Sequence, residues 1–194
     1  MMEPKHLAFN HQEMNRTGVS TFLTEQAGRE NELRGFQGAL QSNYAMGIMT
    51  AFNRIGTIYS GAYEGVLVQI VRNEWGYTGW ITTDLINGAE YQNWRDVIFG
   101  GGSDVLSNHS TFAETSLGTM SDNTKTIQKD TSFQEKMKAG LKYYLYTTAR
   151  SNAMNGITSD TETVYVKTWW QNTILGVEIG LGILTTVFGI LYVL

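Results

Sequence analysis

Four short runs of apolar and β-branched residues alternate with longer stretches whose apolar residues fall at helical spacing. The strand-like runs are Lys5–Asn10, Ala45–Asn53, Trp80–Asp84 and Ser103–Ser107. The stretch Thr21–Gln41 places Leu23, Ala27, Leu33, Phe36 and Leu40 near a 3.6-residue period, and Ala62–Glu74 places Tyr63, Leu67, Ile70 and Val71 on one face. Glu90–Phe99 predicts a shorter helix. Ser132–Met154 predicts a long one, with Phe133, Met137, Leu141, Tyr144, Leu145 and Ala149 as its apolar face. Strands separated by helices of this length predict parallel βαβ units, hence an α/β fold.

The third run carries the chemistry. In WGYTGWITTDL, Trp75 to Leu85, a turn feeds an apolar strand that ends on Asp84. Taken alone, Asp84 reads as the N-cap of the next helix, a position that favours aspartate. At the C-terminal end of a barrel strand, the same residue would point into the mouth where α/β barrels hold their active sites.

Two further blocks precede it: KHLAFNHQEMNR, Lys5 to Arg16, and IMTAFNRIG, Ile48 to Gly56. In this order and spacing, the three blocks resemble the catalytic barrel of glycoside hydrolase family 3, the β-glucosidase family. The resemblance runs from Lys5 to about Gly156. It implies a partial (β/α)8 TIM-type barrel made of about the last four βα units. A complete barrel needs eight strands and about 250 residues, so the resemblance implies part of a longer enzyme. A half barrel on its own would leave sheet edges open.

The resemblance also implies roles. Retaining glycosidases use one carboxylate as nucleophile and a second carboxyl group as acid and base. Asp84 stands at the family's nucleophile position, in TTD where the family usually has SDW. Lys5 and His6 match the pair that hydrogen-bonds the substrate sugar. Neighbours on a strand point to opposite faces, so both reach one sugar only at a strand end. Met49 and Phe52 match positions lining the sugar pocket, and core packing accounts for them equally well.

Departures accompany the match. His11 replaces a common aspartate, and Leu85 replaces the tryptophan that often follows the nucleophile. No acid/base residue is identifiable, and the aspartate and arginine of the early barrel strands are missing. Glu64 and Glu74 read as a solvated helix face. Glu90 follows Asp84 by six residues, too little to assign it a role. Glu13 and Arg16 are expected to form a local ion pair, and Arg54 reads as structural. His6, His11 and His109 show no metal-ligand spacing, and Gly100–Gly102 lack the Lys-Ser/Thr of a phosphate loop. Neither metal nor cofactor is expected.

Charged residues make up 16% of the 194, the net charge is −4, and the basic residues are scattered. This excludes a nucleic-acid surface built on clustered Lys and Arg. With no cysteine, disulfides and thiolate metal sites are excluded. The stretch Met1–Phe9 holds Glu3, Lys5 and His6 with no long apolar run, so no signal peptide is expected there.

Thr173–Leu194 is 22 residues long with one charge, Glu178. About 20 apolar residues span a bilayer, and Trp169 and Trp170 stand where interfacial aromatics belong. The expected organisation is a partial glycosidase barrel over 1–156, a polar linker over 157–168 and a transmembrane helix over 169–194. The predicted location is therefore a membrane, crossed once through residues 173–194, with the catalytic part outside. The predicted function is a retaining β-glucosidase-like hydrolase acting on a carbohydrate substrate, with the isolated chain inactive. Two other classes compete. One is an inactive membrane-tethered remnant or interaction module. The other is a Schiff-base lyase using Lys5.

Overall fold

The computed structural model describes residues 2–86, 89–105, 118, 120 and 122–193. It divides into two units, Met1–Asn155 and Gly156–Leu194.

In the first unit, four segments lie side by side in chain order. Strand β2 (Gly47–Met49) pairs in parallel with β5 (Trp80–Thr82), with Ile48 opposite Ile81. On the far side of β2, the segment around residues 2–7 runs alongside it. The amides of Met46 and Met49 donate to the carbonyls of Met2 and Pro4, and the Leu7 amide donates to the Met49 carbonyl at 2.8 Å. Leu7 forms one parallel bridge with Thr50, and the peptide bonds Lys5–His6 and Leu7–Ala8 are cis. Beyond β5, the Ser103 and Asp104 amides donate to the Ile81 carbonyl. Within this ladder only β2 and β5 are regular strands among the described residues, and the expected first strand, Lys5–Asn10, is reduced to the Leu7 bridge. The expected fourth strand is not regular over 103–105, and its residues 106–107 lie outside the described part.

Side chains alternate across a strand, so Ile48 and Ile81 share one face. Both are fully buried against Leu33, Leu40, Val66, Leu67, Ile70 and Val71. Each such aliphatic side chain contributes about 2 kcal/mol relative to exposure. That burial holds three-residue strands that backbone pairing alone would not. A second cluster joins Trp94, Ile98 and Phe133, with the Trp94 and Phe133 rings edge to face at 5.6 Å.

The first three helices start later than expected, and side-chain caps set the first and the third. The first helical stretch (Glu25–Ala27, Gly28–Glu32 and Arg34–Gln41) begins at Thr24, whose side chain accepts from the Ala27 amide at 3.2 Å. Residues Ser20–Thr21 form strand β1 instead. It pairs with β3 (Arg54–Ile55), which turns back on β4 (Ile58–Tyr59). The second helix spans Gly65–Glu74 and the third Trp94–Phe99, the latter capped by Asn93.

The long helix, Thr131–Ala149, corrects its predicted burial. Met137, Leu141, Tyr144 and Leu145 are exposed by 36% to 56%, while Phe133, Gly140 and Thr147 are buried. Gly140 sets this choice. A Cβ there would stand 3.1 Å from the Ser103 Cα, so its bare backbone lets the helix approach the Gly102–Ser103 backbone.

Half-buried Arg72 joins three elements. It donates to the Tyr77 carbonyl at 3.0 Å, to the Gly79 carbonyl and to Ser103 Oγ, and its guanidinium lies 3.6 Å over the Tyr143 ring. Burial holds Arg72 down to about 10.

The second unit carries a polar stretch followed by the helix Trp169–Val193, 25 residues long. At 1.5 Å per residue this is about 37 Å, more than the roughly 30 Å of a bilayer core. It is the one helix among the described residues long and apolar enough to cross a membrane, and none of the span Trp169–Tyr192 is buried.

Candidate active site

The strand β5 delivers Asp84 to the C-terminal end of the parallel ladder. The Thr50 amide donates to the Thr82 carbonyl at 2.9 Å, and the Asp84 amide donates back to the Thr50 carbonyl at 3.1 Å. The backbone of Asp84 is thus fixed by the neighbouring strand. One carboxylate oxygen, Oδ1, accepts from the Leu85 amide at 2.7 Å, and the other, Oδ2, faces His6 Nε2 at 3.2 Å. Their side chains are 15% and 30% exposed, so the pair is reachable from solvent. Among the described residues the next helix begins at Trp94, and its cap is Asn93, which accepts from the Asp96 amide at 2.8 Å. Asp84 does not serve as that helix's cap.

Beneath Asp84 lies a buried polar layer of Thr50, Thr83 and Tyr59. The Tyr59 hydroxyl stands beside both threonines. Burial pushes it well above the ordinary tyrosine range, and the nearby Asp84 charge acts in the same direction.

Phe52 is buried beside this site. The Arg16 guanidinium covers its ring at 4.3 Å and pairs with Glu13 at 3.1 Å. Tyr91 ties the surrounding loops together. Its hydroxyl donates to the Phe52 carbonyl at 2.9 Å and accepts from the Gly18 amide at 2.8 Å. Arg54 lies 5.2 Å over the Tyr91 ring and donates to the Gly18 carbonyl. Met49 is half-buried, in register with Thr82. A cleft of about 690 Å³ borders this cluster, lined in part by Tyr59, Tyr63, Tyr91, Phe99 and Glu90.

The structure therefore brings His6 and Asp84 together, sets Met49 on the neighbouring strand and places Phe52 just beyond its end. Lys5 is exposed, and no ion pair joins it to Asp84. A Schiff-base lysine is activated by desolvation or by a second cation, and exposure removes the first of these. Glu74 is engaged in a two-pronged pair with Arg29 at 2.6 and 2.8 Å, which lowers its pKa. His11 pairs with Glu32. His109 lies outside the described residues. Tyr59, Tyr91 and Arg72 escape sequence reasoning, since only the fold brings them to their partners. For Tyr91 and Tyr59 the one available signal is an aromatic residue just beyond a strand-and-turn block.

No protein-family model matches the chain. A probable β-glucosidase J of Emericella nidulans is 39% identical over 80 residues, which is 41% of this chain and 9% of that relative. Among solved structures, the β-glucosidase DesR of Streptomyces venezuelae superposes with a TM-score of 0.51 at 29% identity, over 56% of this chain and 13% of that one. β-Glucosidase 3B of Thermotoga neapolitana reaches a TM-score of 0.69 at 22% identity, over 79% of this chain and 21% of that one, a likeness of fold. The matched stretch thus spans about a tenth of the curated relative.

Proposed function

We propose that Asp84 is the nucleophile of a retaining β-glycosidase site, from the premise that this chain carries a β-glucosidase-like segment of glycoside hydrolase family 3. The observation that carries the proposal is the 3.2 Å approach of His6 Nε2 to Asp84 Oδ2 at the end of the parallel ladder. A nucleophilic carboxylate needs hydrogen-bond donors that keep it charged and aimed. The Leu85 amide serves one oxygen and the imidazole lies beside the other. Asp84 would attack the anomeric carbon, displace the leaving group and form a glycosyl ester, which water then hydrolyses. The substrate is a β-glucoside or oligosaccharide. His6 and Lys5 would bind its hydroxyls, with Met49 and Phe52 as pocket wall.

On this reading the four adjoining segments are the last four βα units of a barrel, and the acid/base carboxyl comes from elsewhere in a longer enzyme. The helix Trp169–Val193 is a single-pass anchor, and the catalytic part lies on the outer face, where glycans are met. Protease treatment of intact cells that trims residues before Trp169 supports that side, and full protection contradicts it.

A site holding the nucleophile without its acid has a distinct kinetic signature. A dinitrophenolate leaving group departs without protonation, whereas an ordinary aryl alcohol needs the acid. The chain should release at most one equivalent of dinitrophenolate from a dinitrophenyl β-glucoside and then stall. It should not turn over a nitrophenyl glucoside. Absence of the first equivalent would favour the second reading, an inactive tethered remnant or interaction module.

A further inference from the structure

We propose that Tyr59 is a positioning residue for Asp84, holding the strand end that aims the carboxylate toward His6. The consequence for catalysis rests on the reading of Asp84 as nucleophile, whereas the positioning itself is a structural claim.

Tyr59 ends strand β4 and is 2% exposed. The residues on either side of its loop are tied to the end of β2. The Ser60 amide donates to the Asn53 carbonyl at 3.0 Å, and the Ser60 hydroxyl donates to the Ala51 carbonyl. The Tyr59 ring and the Thr50 side chain both close on Gly61. A Cβ on Gly61 would lie 2.6 Å from Tyr59 Cε1 and 2.9 Å from Thr50 Oγ1. Thr50 is the residue whose carbonyl receives the Asp84 amide. The path from tyrosine to carboxylate therefore runs through Gly61 and Thr50 to one backbone hydrogen bond. From the other side, the Tyr91 ring meets Tyr59 edge to face at 5.8 Å, and the Tyr91 hydroxyl is itself pinned between Gly18 and Phe52.

The ring rather than the hydroxyl makes the contacts, because the hydroxyl is buried without a hydrogen-bond partner among the described residues. It lies beside Thr50 and Thr83, the residue before Asp84. Burial keeps it protonated, so it places a neutral dipole rather than a second negative charge beneath the carboxylate.

Two variants test the proposal in the full-length chain held in detergent micelles. Tyr59→Leu removes the ring that closes on Gly61. Gly61→Ala keeps the ring and wedges a methyl between Tyr59 and Thr50. Both should speed hydrogen exchange at the Asp84 amide by roughly tenfold and shift the His6 ring resonances. Amide exchange around Trp94 and Phe133, in the other core cluster, should remain as in the wild type. Unchanged Asp84 exchange and His6 resonances in Tyr59→Leu would overturn the proposal. So would a loss of protection spread equally over the Trp94 cluster, which marks a general packing role. If these local changes appear while the wild type gives no dinitrophenolate burst, the positioning stands and the assignment of Asp84 as nucleophile fails.

Discussion

Nε2 of His6 stands 3.2 Å from Oδ2 of Asp84, although one belongs to the first of four adjoining segments and the other follows the third. Two strand ends converge on one carboxylate while β2 lies between them. A hydrogen bond to a charged group is worth about 1.5–3 kcal/mol, and about 1.4 kcal/mol is a factor of ten in rate. Replacing His6 with Ala should therefore slow the dinitrophenolate burst by about 10- to 100-fold. Stopped-flow absorbance measures this, and an unchanged burst rate would remove His6 from the site.

Arg72 should matter for stability rather than chemistry. It satisfies the Tyr77 and Gly79 carbonyls and stacks on Tyr143 from a half-buried position. Arg72→Met strands those carbonyls and should cost about 3 kcal/mol. In a unit of this size that is a fall of about 6–12 °C in Tm, read by near-ultraviolet circular dichroism. A shift within about 2 °C would show that the guanidinium is not a clamp.

Acid should destabilise the first unit through two carboxylates. The Arg29 hydrogen bonds hold Glu74 below its ordinary 4.5, and the Arg95 hydrogen bond, with the Phe133 amide, holds Asp130 below its ordinary 3.8. A depressed folded-state pKa contributes stability above the unfolded value, and that contribution is lost as the pH falls through the folded value. Denaturant midpoints should therefore drop as the pH is lowered from about 5 toward 3. Both groups lie at the surface, so salt should soften the drop. Glu3 acts in the opposite sense, because burial raises its pKa. The double variant Glu74→Gln with Asp130→Asn should flatten the profile, and an unaltered slope would contradict these assignments.

The helix Trp169–Val193 should place the chain in membranes. Chain expressed in cells should resist extraction by alkaline carbonate, and chain truncated after Thr168 should be released. Full extraction of the longer form would contradict a spanning helix.

Much of the site was legible because its residues sit in contiguous blocks. WGYTGWITTDL brings a strand and the carboxylate just past its end, while KHLAFNHQEMNR brings His6 on a segment that forms only the Leu7 bridge, so both members of the pair are readable in the sequence. Glu13 and Arg16 also pair as expected, being three residues apart. The small sheet of β1, β3 and β4 was not legible, because two-residue pairings carry no periodicity. Tyr59, Tyr91 and Arg72 escaped because their partners are distant in sequence. Beyond Phe133, which is buried, the inward face of Thr131–Ala149 is not legible, because a helical period gives an apolar side without saying which side meets the core. There Gly140 and Thr147 turn inward, while Leu141 and Leu145 face solvent.

The most direct measurement concerns Asp84 itself. The full-length chain is incubated with dinitrophenyl 2-deoxy-2-fluoro-β-glucoside, digested and mapped by mass spectrometry. The account predicts one fluoroglucosyl ester per chain, located on Asp84 and absent from Asp84→Asn. An ester on any other carboxylate, or no ester on folded wild-type chain, would contradict it.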